Sequence, residues 1–183
     1  FDNPDLNFEP NLKLATPLNY ILGPGDEMQL TLYGVQEFED AAIVSEDGRI
    51  NVPHVGIVQV AGLTIEAATQ KIRNAAGKIY HTLRSGQSKL SVSLSKIRTI
   101  NVTIIGAKQP GNYSLSSLAT VFNALYLAGG PAKNGSYRNI ELIRNNKLLN
   151  QVDIYKFMVN GEQSENTGLK DNDVIRIPAY EIR

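Results

Sequence analysis

The chain has 183 residues, 42% of them hydrophobic and 20% charged, with eighteen basic against eighteen acidic side chains and neither cysteine nor tryptophan. That composition excludes disordered, collagen-like, disulfide-stapled and zinc-cysteine classes, and zero net charge removes the counterion-release argument for a nucleic-acid partner. The length fits one ordinary domain or two small ones, and no apolar run approaches the roughly 20 residues of a membrane-spanning helix. The absence of cysteine permits an oxidising compartment. The first residue is Phe1, and no basic stretch followed by an apolar one precedes the folded part, so any export signal is expected to have been removed or never present.

Residues 1 to 19 are rich in Asn, Asp and Pro without a steady apolar period and are expected to form an extended arm. The turn Gly23-Pro24-Gly25-Asp26 then leads into a strand whose apolar positions alternate at Met28, Leu30 and Leu32. Short strands follow at 42–45, 49–52 and 56–60. Thr64 stands as an N-cap before Ile65, Ala68, Ile72, Ala75 and Ile79, which line one face of a helix expected to run to about Tyr80. A strand alternating at Leu90, Val92 and Leu94 closes this first unit.

Ile100, Val102 and Ile104 open a second series, turned at Gly106 to Gly111 and continued by Tyr113 to Leu115. Leu118, Val121, Phe122 and Leu125 keep helical spacing, with Ser116 or Ser117 as cap and Gly129-Gly130-Pro131 as stop. A hairpin around Asn145-Asn146, a helical turn at 154–158 and a last strand at 173–177 complete the chain. Segments 50–72 and 100–125 share one order: strand, glycine turn, strand, hydroxyl cap, amphipathic helix. The expected fold class is α+β, two small sheet-and-helix units.

Residues suited to chemistry are few. His54 and His81 have no carboxylate at metal-ligand spacing and read as loop or surface residues. No G-x-S-x-G elbow exists for a hydrolase. The glycines at 23 and 25 lack the Gly-Lys-Ser/Thr ending of a phosphate loop and read as a tight turn. Glu37, Glu39 and Asp40 could supply a carboxylate pair, but neighbours on an extended segment point to opposite faces, and a solvated loop is the simpler reading. Eight tyrosines could stack on sugar rings, with Tyr113, Tyr126, Tyr137, Tyr155 and Tyr180 in the second half; core or rim packing is the simpler reading.

The order of charges is more informative. Residues 1–66 hold eleven acids and two bases, residues 67–140 ten bases and no acid, and residues 141–183 seven acids and six bases. Either the first two sectors fold against each other and cancel, or they present opposite patches to different partners.

Taken together, the motifs resemble the outer-membrane polysaccharide export family. The residues that carry the resemblance are Tyr20-Ile-Leu-Gly23-Pro24-Gly25-Asp26, Asp47-Gly48-Arg-Ile50 with Pro53 and Gly56, and Ala61-Gly62-Leu-Thr64. They continue with Val102-Thr-Ile-Ile-Gly106, Pro110-Gly111-Asn-Tyr113, Ala128-Gly129-Gly130 and Asp173-Val-Ile-Arg-Ile-Pro178. The resemblance implies a polysaccharide-export domain at 20–97 and a soluble-ligand-binding β-grasp (SLBB) domain at 98–183. It further implies a periplasmic, non-enzymatic subunit without cofactor, copies of which form a ring under the outer membrane and pass a polysaccharide outward with an inner-membrane co-polymerase. Family members carry a lipid-modified cysteine and a C-terminal membrane segment, neither of which is among these residues, so the mode of attachment stays open. The motif glycines and prolines read as backbone devices, not ligands. Ring assembly by identical copies needs two different surfaces to meet, for which Lys71, Arg73 and Lys78 are candidate contacts. A standalone carbohydrate-binding module is the alternative function.

Overall fold

The computed structural model describes residue 17 and residues 19–180, so the expected arm at 1–19 lies almost wholly outside the described residues. Contacts divide the chain between Arg98 and Thr99 into two compact units, each of mixed helix and sheet.

The first unit contains β1 (Glu27–Gly34), β2 (Phe38–Ile43), β3 (Arg49–Val52), β4 (Gly56–Gln59), α1 (Ile65–Ala76), α2 (His81–Arg84) and β5 (Ser88–Lys96). Strand β1 lies at the centre of an antiparallel sheet ordered β2-β1-β5, and β3 and β4 form a separate hairpin. The alternation of β1 has its expected cause: Met28, Leu30 and Leu32 are fully buried while the residues between them stay half-exposed. In register, Leu30 faces Asp40 on one side and Val92 on the other.

Two expectations for this unit are corrected. The segment 37–40, read as a solvated loop, is largely strand: β2 starts at Phe38 and ends at Ile43. Pairing of all six residues of β2 with Glu27 to Leu32 of β1 outweighs the acidic local composition. Helix α1 ends at Ala76, not near Tyr80. The N–H of Gly77 donates to Arg73 O at 2.8 Å and those of Ile79 and Tyr80 to Ala76 O, which tightens the chain and turns Ile79 out to solvent at 52% exposure. The face that α1 buries is Ala68, Ile72 and Ala76 at steps of four. Thr64 Oγ1 accepts from Ala67 N at 3.2 Å, as an N-cap should.

The second unit contains β6 (Thr99–Ile105), β7 (Gly111–Ser116), α3 (Val121–Leu127), β8 (Ile140–Arg144), β9 (Lys147–Val152), α4 (Ile154–Asn160) and β10 (Val174–Arg176). Its five-stranded sheet runs β7-β6-β10-β8-β9, with β6 and β10 parallel and every other pair antiparallel. Counted within the unit, that is second, first, fifth, third, fourth, the β-grasp order, in which the first and last strands lie side by side at the centre. Val121, Ala124 and Leu125 of α3 share one buried core with Ile100, Val102, Leu142 and Ile175 of the sheet.

Helix α3 begins later than its spacing predicted. The cap is Thr120 rather than Ser116 or Ser117, in a capping box closed by Asn123, and Leu118 lies outside the helix. Ser116 Oγ instead accepts from Leu118 N, a local turn that leaves this stretch non-helical. The hairpin at Asn145-Asn146 has both residues at positive φ, 52° and 59°, as a two-residue turn matched to strand twist requires.

Candidate functional site

The family motifs place an aspartate at the start of a central strand in each unit, and both are built the same way. Asp26 is wholly buried. Gly25 at φ 90° turns the chain so that Asp26 N donates to Gly23 O at 3.2 Å while Gly23 N donates back to Asp26 Oδ2 at 2.8 Å. The other partners come from elsewhere: Tyr20 Oη donates to Oδ1 at 2.7 Å, Arg98 N to Oδ1 at 2.8 Å and Arg98 Nη1 to Oδ2 at 2.8 Å. Arg98 Nη1 also donates to Tyr20 Oη, so the three side chains form one closed network.

Asp173 repeats the arrangement. Asn172 supplies the positive φ of 64°, Asp173 N donates to Lys170 O at 3.2 Å, and Lys170 N donates to Asp173 Oδ2 at 2.8 Å. Arg144 grips the carboxylate with Nε on Oδ1 at 2.8 Å and Nη2 on Oδ2 at 2.7 Å. The hydrogen bond to Asp173 holds the Arg144 guanidinium above its ordinary pKa, against a smaller opposing effect of burial. Every acceptor of both aspartates is occupied by its own chain, which suits them to hold structure rather than bind a ligand.

The remaining motif positions lie at turns and act through the main chain. Gly48 O accepts from both Val60 N and Ala61 N at 2.9 Å, and Gln59 Nε2 donates to Asp47 O. Pro53 and Gly56 flank the β3–β4 turn, with His54 at φ 58° between them, and Gly62 N donates to Leu22 O. Gly106, at φ 78°, passes so close to β10 that any Cβ would overlap the carbonyl oxygen of Ile177. Pro110 and Gly111 lead into β7; Gly130 N caps Leu125 O at the end of α3, beside Gly129; Pro178 O accepts from Ser136 N.

Lys71, Arg73 and Lys78 are exposed and pair with no carboxylate among the described residues. Arg73 and Lys78 share a cleft of about 520 Å³ with Arg84, Asn74 and Leu83, whereas Lys71 stands outside it. Arg84 was not foreseen, because it belongs to the short α2, which has no periodic signal. The acidic residues do not converge: Glu39 is exposed and receives Gln29 Nε2 at 3.0 Å, while the half-buried Asp40 follows it on the opposite face of β2. Among the described residues no three His, Asp or Glu side chains are grouped to hold a metal ion, and no helix is long and apolar enough to cross a membrane. Of the tyrosines, Tyr137 and Tyr155 contact each other at 5.7 Å with Arg138 over Tyr155, and Tyr113 Oη donates to Gln109 O.

The fold and these sites define a two-unit scaffold in which a mixed sheet-and-helix domain precedes a β-grasp. Residues 14–95 match the family described as polysaccharide biosynthesis/export protein, and residues 102–161 match the SLBB domain. Two Escherichia coli sequences, both described as polysialic acid transport protein KpsD, are 32% identical over 148 residues, covering 79% of this chain and 25% of their own. The chain therefore spans about a quarter of the length of these curated relatives. It belongs to the polysaccharide export protein family, a transport family and not an enzyme family.

Proposed function

We propose that the protein is a structural subunit of a polysaccharide export channel at the periplasmic face of the outer membrane, that its copies close into a ring, and that the ring receives glycan with an inner-membrane co-polymerase. Residues 20–97 serve as the polysaccharide-export domain and 98–183 as the SLBB domain. The observation that carries the reading is the occurrence of both family domains in one chain, in this order. The two aspartate networks support it, since they stiffen the domains without offering a reactive group.

In the ring, the exposed cations Lys71, Arg73 and Lys78 on and just after α1 meet acidic residues of the next copy, a heterologous contact that avoids self-repulsion. Deleting the gene in its host should leave the polysaccharide synthesised but retained inside the outer membrane, with export restored by a plasmid copy. Unchanged polysaccharide at the cell surface after deletion would refute the export role.

A further inference from the structure

Helices α3 and α4 of the second unit flank a cavity of about 290 Å³ that the motif residues do not touch. Its apolar lining includes Leu125 and Ile154, both buried, and the rings of Phe122 and Phe157, whose centroids lie 4.7 Å apart at 44°. Three amides, Asn123, Gln163 and Asn166, line it together with Thr120 and Tyr126, and no lining residue is charged.

The amides are unevenly used. Asn123 Oδ1 accepts from Thr120 N and Oγ1 in the capping box, and Asn166 Oδ1 accepts from Phe122 N at 3.1 Å. Both Nδ2 groups are left as donors, and the exposed Gln163 side chain has no hydrogen-bond partner among the described residues. Fixing the acceptor oxygens orients two of the amides before any ligand arrives, which lowers the ordering cost of binding.

An apolar cavity with aromatic walls and a few convergent polar groups is the usual form of a small-molecule site. This one lies at the lower end of the roughly 300–1,000 Å³ such sites occupy, room for a single sugar ring rather than an extended ligand. Aromatic faces attract the C–H edges of a pyranose, amides match hydroxyl and acetamido groups, and an acetamido methyl suits the Leu125 and Ile154 surface. A carboxylated sugar would find no cation here.

We propose that this cavity binds one uncharged N-acetylated sugar residue of the exported glycan. The proposal rests on the export reading and names the sugar chemistry that the second unit recognises. A conduit needs weak contacts that release quickly, so the affinity for a single sugar lies in the millimolar range.

The test is amide chemical-shift mapping on the isotope-labelled 183-residue chain with N-acetylglucosamine, glucose and glucuronate as separate probes. N-acetylglucosamine should move the signals of Phe122, Asn123, Phe157 and Asn166 and saturate. Glucose, lacking the acetamido group, and glucuronate, carrying a charge, should each bind at least about fivefold more weakly, the loss that one or two unmade hydrogen bonds produce. Gln163→Ala, an exposed change that leaves the melting temperature unaltered, should weaken N-acetylglucosamine about fivefold, and Phe157→Leu more.

No saturable shift, equal binding of all three sugars, shifts confined to the Arg73 and Arg84 cleft, or an unaffected Gln163→Ala would each overturn the proposal. If deletion of the gene blocks export while the chain binds no acetamido sugar, the inference fails and the export reading stands. If deletion leaves export intact, the export reading fails whatever the titration gives.

Discussion

Asp26 and Asp173 are the same device used twice. Each is the last residue of a turn with positive φ, each precedes a central strand, and each receives a guanidinium from the end of a neighbouring antiparallel strand: Arg98 lies just past β5, and Arg144 is the last residue of β8. The sequence separations, 72 and 29 residues, make each a long-range clamp on its sheet.

Removing one member of such a buried pair leaves orphaned polar groups. Asp26→Ala strips partners from Gly23 N, Arg98 N and Tyr20 Oη at once and should destabilise the first unit by about 3 kcal/mol or more. Tyr20→Phe removes only a hydroxyl and should cost about 1 kcal/mol. Urea titration of the three proteins checks both values; equal stability of Asp26→Ala and wild type would show that the network contributes nothing.

The backbone at Gly106 tolerates no side chain, because both φ and the Ile177 carbonyl forbid it. Gly106→Ala should cost more than about 2 kcal/mol and loosen β10, whereas Gly56→Ala, strained by its φ but facing open space, should cost about 1 kcal/mol. Hydrogen exchange at Ile175 and Ile177 reads the difference directly, with faster exchange expected only for the Gly106 variant.

Helix α1 gives a three-way comparison. Ile72→Asp places an unpaired charge at a fully buried position and should cost several kcal/mol; Thr64→Ala loses a cap and about 1 kcal/mol; Ile79→Asp, past the helix end, should stay within about 0.5 kcal/mol. Thermal melts rank them, and a destabilised Ile79→Asp would contradict the observed helix terminus.

Much of this was legible in the sequence, where periodicity and caps are local. The alternation of β1, the Thr64 cap, the Asn145-Asn146 turn and the shared hairpin-helix order all follow from neighbours within a few residues. The end of α1 did not, because Ile79 keeps helical spacing while Gly77 stops the helix with an ordinary right-handed φ of −63°, without the left-handed signal of a typical glycine stop. The start of α3 was placed at Ser116 or Ser117, whereas the side chain of Asn123 closes the capping box on Thr120. Strand β2 depended on its partner β1. Asp26 and Asp173 were picked out as motif positions, but Arg98 and Arg144 were not, since a pairing across 72 or 29 residues leaves no local trace.

Lys156 and Glu165 form a surface pair that makes a pH prediction. The hydrogen bond from Lys156, and then that from Asp153 N, hold the Glu165 carboxyl below its ordinary value of 4.5, and the same contact raises the Lys156 ammonium. A lowered carboxylate stabilises the fold above its unfolded pKa and loses that contribution as pH falls through the folded value. Wild type should therefore be more stable than Glu165→Gln at neutral pH, with the gap closing in acid below pH 4.5. A gap independent of pH would remove the ion pair as its cause.

Sedimentation of the protein, made from its own gene and extracted with detergent from host membranes, tests the proposed ring most directly. The account predicts a closed assembly of identical copies that retains glycan and co-polymerase. Reversing Lys71, Arg73 and Lys78 to Glu should weaken it while the fold persists, and high salt should weaken the wild type likewise, as the Debye length shrinks from about 10 Å at 0.1 M to about 3 Å at 1 M. Single copies without glycan would contradict the ring, and an unchanged assembly of the triple variant at low and high salt alike would show that these cations carry no assembly information.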